Sequence, residues 1–109
     1  MSKVIQKARS KKRGITTLAA KQVSFSIVFT GGAGDARVRV KQSRNTLHTF
    51  NYSQSGSDTV TLNSGMYRIL LDGMCTSKAE FVISEQTNPK TPESFSEGPI
   101  DSSYTLEIA

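Results

Sequence analysis

A chain of 109 residues has room for one folded domain and one hydrophobic core. The net charge of +5 is uneven, because residues 1–21 carry seven basic and no acidic side chains, whereas residues 22–109 carry seven basic and nine acidic ones. No stretch approaches the roughly 18–20 apolar residues of a membrane-spanning helix, and a single cysteine excludes an internal disulfide. The composition therefore predicts a soluble protein made in the cytoplasm, with a basic N-terminal arm, 1–21, and a mildly acidic domain, 22–109.

From Lys21 onward, apolar and polar residues alternate with the period of two that is typical of strands with one buried face. The first predicted strand is KQVSFSIVFT, in which Phe25 and Ile27 lie on the apolar side. A flexible GGAGD loop follows. The second predicted strand, ARVRVKQ, directs two valines to one side and three basic residues to the other, and TLHTFNYS forms the third.

Four more segments continue the alternation: DTVTLN, the region SGMYRILLDG, KAEFVIS and SYTLEIA. Six residues on the apolar sides of their strands are predicted to be buried in the core: Phe25, Ile27, Tyr67, Ile69, Phe81 and Leu106. Ser64–Gly65 and Asp72–Gly73 are predicted as turns on either side of the fifth strand. Seven short strands without a convincing amphipathic helix predict an all-β fold, a single antiparallel β-sandwich of about seven strands with an extended basic N-terminal arm.

The segment 85–102, between the sixth and seventh predicted strands, contains all three prolines and is predicted as one long loop. Connections of this length are usually functional or disordered. Phe95 and Ile100 are its only large apolar side chains, so they either tether the loop to the domain or contact a partner, and Phe95 is a candidate partner contact.

One stretch, LNSGMYRILLDG, carries a family resemblance. Its Leu62, Gly65, Tyr67, Ile69 and Gly73 resemble the L-x-x-G-x-Y-x-I pattern of transthyretin-like and immunoglobulin-like β-sandwich modules, of the kind found in phage and viral structural proteins. The resemblance implies that the glycine makes a hairpin and that the tyrosine enters the core. It also implies a binding, structural or assembly role, and it assigns no functional residue.

The sequence contains no recognisable catalytic or metal-binding motif. His48 is the only histidine, and Cys75 has no second cysteine with which to form a redox or metal pair. GGAGD lacks the lysine and hydroxyl of a phosphate-binding loop. We therefore expect a protein that is not an enzyme, with no cofactor, no metal and no small-molecule substrate.

The basic arm supplies most of the candidate partner-binding residues. Its like charges repel one another, so the arm is either a solvated tail that aids solubility or a segment that meets an acidic partner. The candidates are Lys3, Val4, Ile5, Lys7, Arg9, Lys11, Lys12, Arg13 and Lys21 in the arm, and Phe95 in the loop.

These features predict a non-enzymatic structural or assembly protein. We expect a small virion component, associated with a capsid or a connector, that docks on other protein subunits through its basic arm and its long loop. The alternative is a small nucleic-acid-associated β protein that binds phosphates through the arm. A carbohydrate-binding module is less favoured, since the chain has no Trp and only three Tyr.

Overall fold

The computed structural model describes residues 20–109. In this range the chain forms nine β-strands and no helix, which confirms the predicted all-β class. In chain order the strands are β1 (Lys21–Thr30), β2 (Gly34–Gln42), β3 (Asn45–Tyr52), β4 (Gly56–Leu62), β5 (Gly65–Cys75), β6 (Lys78–Ile83), β7 (Thr87–Asn88), β8 (Glu93–Phe95) and β9 (Gly98–Ile108).

The strands form two antiparallel sheets. The four-stranded sheet has the order β8–β6–β1–β4, and the five-stranded sheet has the order β3–β2–β5–β9–β7. Seven of the strands correspond to the seven predicted segments. The additional two, β7 and β8, have two and three residues, so their alternation is too short to be read from the sequence.

The segment 85–102 is more ordered than the predicted single loop. It contains β7, β8 and the first residues of β9. Thr91 fastens it to β6, because the Ile83 amide donates to the Thr91 hydroxyl (3.1 Å) and that hydroxyl donates to the Ile83 carbonyl (3.2 Å). Ile100 is fully buried, so this segment is anchored to the domain by its own side chains.

The predicted turn at Asp72–Gly73 is wrong, because both residues lie inside β5. A Cβ atom placed on Gly73 would lie 2.1 Å from the carbonyl oxygen of Asp35 on β2. The glycine therefore permits a close approach of two backbones within the sheet, which is the other common reason for a glycine in a strand.

The inward faces of the two sheets share one hydrophobic core. Its members include all six residues that the alternation places most clearly inside, and two aromatic contacts join the sheets. The rings of Phe81 and Tyr104 lie 5.5 Å apart, and those of Phe25 and Phe50 lie 6.3 Å apart. The six predicted core residues, now confirmed as buried, are Phe25, Ile27, Tyr67, Ile69, Phe81 and Leu106.

The chain crosses from one sheet to the other between β4 and β5. Gly65 therefore ends a connection between sheets and does not form the hairpin that the resemblance implied. Its φ of 147° is one that other residues rarely adopt. Tyr67 is buried as expected, and its hydroxyl donates to the carbonyl of Asn63 at 2.7 Å. This bond ties the start of β5 back to the crossing.

Candidate functional site

Three basic side chains lie together on the outer face of the five-stranded sheet. Arg39 and Lys41 extend from β2 on either side of buried Val40, so both point away from the core. Lys41 is the register partner of Arg68 on β5, which places their α-carbons roughly 4.5–5.5 Å apart. We call Arg39, Lys41 and Arg68 the basic face.

The positive charges of the basic face have no carboxylate partner within residues 20–109. Ion pairs in this part of the chain join Arg37 to Asp72 at 3.0 Å and Lys21 to Glu85 at 3.3 Å. Hydrogen bonding and the charge of Asp72 raise the pKa of Arg37 above its ordinary value. Arg37 is therefore neutralised by its neighbour, whereas the basic face presents its charge to an incoming group.

This arrangement costs stability. Like charges directly opposite one another on a sheet, such as Lys41 and Arg68, are destabilising by roughly 0.2–1 kcal/mol. The Nε atom of half-buried Arg39 is shielded from solvent and has no hydrogen-bond partner in residues 20–109. A buried donor without a partner costs about 1–3 kcal/mol. Folding alone gives no reason for these three residues at these positions.

Lys41 and Arg68 border a shallow depression of about 420 Å³. The hydroxyl groups of Ser43 and Thr105 are exposed beside them. Met66, Tyr67 and Leu70 complete the lining. Two cations and two hydroxyls are donors that suit anionic oxygen atoms.

The outer face of the four-stranded sheet is chemically different. Its positions on β1 and β4 carry small hydroxyl side chains, and Ser24 and Thr59 share a hydrogen bond of 2.9 Å between strands. Val28 on β1 is 47% exposed on this side. This surface is nearly free of charge along the β1–β4 pair.

Each sheet has one long strand at its edge. Within residues 20–109, β3 pairs only with β2, and β4 pairs only with β1. β3 contains no acidic or basic residue apart from His48, and its Leu47, at a register irregularity opposite β2, is 43% exposed. Natural edge strands are commonly protected by charges, prolines or short length. β3 lacks the first two protections, although the bulge at Leu47 interrupts its regularity.

The sequence-predicted arm residues fall mostly outside the described part of the chain. Lys21 begins β1 and pairs with Glu85, while Phe95 in β8 is half-buried against the core. The structure therefore does not bring Lys21 and Phe95 together. The predicted residues that lie outside the described range are Lys3, Val4, Ile5, Lys7, Arg9, Lys11, Lys12 and Arg13.

The other reactive residues occupy structural positions. His48 is half-buried on β3 and stacks on Phe50 at 6.1 Å, and the buried Cys75 thiol donates to the carbonyl of Ser96 at 3.2 Å. Tyr104 and Ser102 both donate to the Glu93 carboxylate, the latter at 2.7 Å. Among the described residues, no group of three or more His, Cys, Asp or Glu side chains could hold a metal ion.

Sequence reasoning missed the basic face because it averaged charge over the whole of 22–109. The signal was present in RVRVK, where alternation places three cations on one side of a strand. Arg68 joins them only through strand pairing, which the sequence does not reveal.

Comparisons of this chain with protein families, with curated proteins and with solved structures returned no match. The part of the chain from 20 to 109 contains no helix that is long and apolar enough to cross a membrane.

Proposed function

We propose that this protein is a non-enzymatic structural component of a larger assembly, in which its neighbours include other copies of itself. A small capsid-associated or connector-associated virion component is the assembly that we favour. The observation that carries the proposal is the uncharged edge strand β3, which leaves one side of its backbone without a strand partner in residues 20–109.

We also propose that the two sheets form a β-sandwich. Ring contacts between the sheets and a single shared core support this arrangement. The hydrogen bond from the Tyr67 hydroxyl back to Asn63 is similar to the tyrosine corner of Greek-key sandwiches, where a tyrosine bonds the backbone a few residues upstream. A sandwich of this kind is a rigid body that can present its edges and faces to neighbours.

Addition of a strand from another subunit would extend the five-stranded sheet. Main-chain hydrogen bonds supply affinity in such pairings, and they require an accessible edge. Leu47, exposed on β3, would be covered by the incoming strand. The short edge strands β7 and β8 offer fewer backbone groups, and the other long edge strand, β4, contains the charged Asp58. β3 is therefore the better edge for this contact.

The arm and the segment 85–102 would contribute unequally to contacts with neighbouring subunits. The segment is fastened through Thr91 and Ile100. Its longest exposed run is 88–90, and further exposed residues are distributed along the rest of the segment. The arm contains six basic residues before Lys21, so it suits an acidic neighbouring surface. Phe95 would act from within the fold by shaping β8.

The test is sedimentation of the purified full chain over a range of protein concentrations. We expect the wild type to form species larger than a monomer, and Leu47→Lys to shift them towards the monomer because a charge on an edge strand opposes pairing. Val28→Lys is the matched control, since Val28 has a similar exposure on the central strand β1. A wild type that stays monomeric at every concentration would refute the proposal.

Nucleic-acid association is the second candidate function. The basic face favours it, because three cations that have no carboxylate partner in residues 20–109 lie on an open sheet surface and attract polyanions.

A further inference from the structure

We propose that the basic face binds the phosphate backbone of a nucleic acid duplex, with Lys41 and Arg68 as its central contacts. This site belongs to the folded domain, whereas the sequence had placed all phosphate contacts in the arm. It deepens the second candidate function and uses none of the side chains on which the assembly proposal depends.

The spacing of the cations fits an extended polyanion. Lys41 and Arg68 lie side by side across two strands, and Arg39 lies two residues along β2, which is roughly 6–7 Å away. A single inorganic phosphate would use the first pair alone. A duplex carries successive phosphates, so it can engage both positions and release several counterions.

The groups around the cations are those that contact phosphates in nucleic acid complexes. Ser43 and Thr105 place exposed hydroxyls at the same depression as Lys41 and Arg68. Hydroxyl, lysine and arginine side chains make most contacts to sugar and phosphate. The depression is shallow and open, which suits the convex backbone of a duplex.

The same surface lacks the means to stack on unpaired bases. The outward positions of β2, β5 and β9 carry no aromatic residue, since Phe50, Tyr52, Tyr67 and Tyr104 belong to the core side of this sheet. Single-strand binders typically stack bases on aromatic side chains. A duplex, whose bases are already stacked, is therefore the favoured ligand, and its sequence should matter little.

Acidic residues limit the site on one side. Glu107 and Asp101 lie on β9 opposite Met66 and Asp72 respectively. Their charges would repel phosphates, so the duplex would lie over β2 and β5 and would reach β9 only at Thr105.

The experiment measures binding of the full chain to a short, fluorescently labelled DNA duplex by anisotropy at several salt concentrations. The variants are Lys41→Gln, Arg68→Gln and the two together. Lys78→Gln is the matched control, because it removes the same charge from an exposed residue of the other sheet. Thermal unfolding is recorded for every variant.

We expect the slope of log affinity against log salt to become shallower by roughly 0.9 for each phosphate contact removed. The control should bind as the wild type does, and a duplex of unrelated sequence should bind equally well. The Tm of the two single variants should equal or exceed that of the wild type, since each removes a repulsion between Lys41 and Arg68. Weaker binding with an unchanged Tm would therefore result from the loss of contacts at the basic face and not from unfolding.

The proposal is overturned if the double variant keeps the affinity and salt slope of the wild type. It is also overturned if poly-glutamate, and not the duplex, depends on Lys41 and Arg68, because the site would then fit an acidic protein. Competition by inorganic phosphate as strong as that by the duplex would indicate a small-anion site instead. Sedimentation of the double variant should match that of the wild type. If the duplex-binding proposal fails, the assembly proposal therefore remains separately testable.

Discussion

Replacing Gly73 by alanine should separate β2 from β5, the central strand of the five-stranded sheet. The added Cβ would lie 2.1 Å from the Asp35 carbonyl oxygen and 2.7 Å from the Ala36 α-carbon. Both are backbone atoms, so no side-chain rotation can relieve the contact. β2 would have to move away from β5, and the pairing Ala36↔Gly73 lies within a ladder that runs from Gly34 to Lys41.

The magnitude follows from two opposing terms. Alanine is normally favoured over glycine in a strand interior by roughly 0.5–1 kcal/mol, because glycine loses more backbone entropy on folding. Overpacking a well-packed site costs typically about 1–3 kcal/mol, occasionally more. A backbone clash in the middle of a sheet belongs at the upper end, so we expect Gly73→Ala to lower the free energy of unfolding by about 2–3 kcal/mol.

Urea unfolding followed by circular dichroism measures this loss. With an m-value of about 1–1.5 kcal/mol per M, the midpoint should fall by roughly 2 M. Gly56→Ala is the control, because its Cβ would meet the Tyr52 ring at 3.2 Å and a backbone atom, the Gln54 carbonyl oxygen, only at the ordinary contact distance of 3.9 Å. A Gly73→Ala protein as stable as the wild type would refute the account of Gly73 as a close-approach residue.

Two further predictions concern the core and its pH dependence. Phe81→Ala should lower the free energy of unfolding by about 3–5 kcal/mol, since the ring is fully buried against Tyr104; a loss below about 1 kcal/mol would contradict this packing. Burial, and then the hydrogen bond to Glu93, raise the pKa of Tyr104 above 10.0, so the folded state holds this proton more tightly than the unfolded state. The resulting stability is fully present below pH 10.0 and is lost as the pH rises above it. Tyr104→Phe should make the decline in Tm above that pH shallower. Part of the decline should remain, because the pKa of Tyr52 is raised too. Equal slopes in the wild type and the variant would exclude Tyr104 as a source of the pH dependence.

Strand phase was predictable from the sequence, whereas strand pairing was not. Alternation identifies Phe25 and Ile69 as buried because it depends only on neighbours along one strand. Gly73 shows the limit of such reasoning. The structural role of Gly73 depends on its contact with β2, a strand more than 30 residues earlier in the sequence. The sequence alone favours a turn there, because glycine next to aspartate is a common turn signal.

The candidate sites likewise combine features that local alternation predicts with features that depend on strand pairing. RVRVK places Arg39 and Lys41 on one side of a strand by local periodicity alone, so two of the three residues of the basic face were predictable. Arg68 lies in a different segment, and only register sets it opposite Lys41. The exposed edge of β3 likewise depends on sheet order, which loop lengths and composition do not determine.

The position of Cys75 has a practical consequence for optical measurements. The chain has one cysteine, and its thiol is 2% exposed and bonded to the Ser96 carbonyl. Thiol reagents attack an accessible thiolate, so this native group should react slowly while the fold is intact. A surface cysteine introduced by Ser43→Cys could therefore carry a dye at a single position without removal of the native cysteine. Such a dye would lie at the rim of the depression beside Lys41, where its emission would report when that surface is covered.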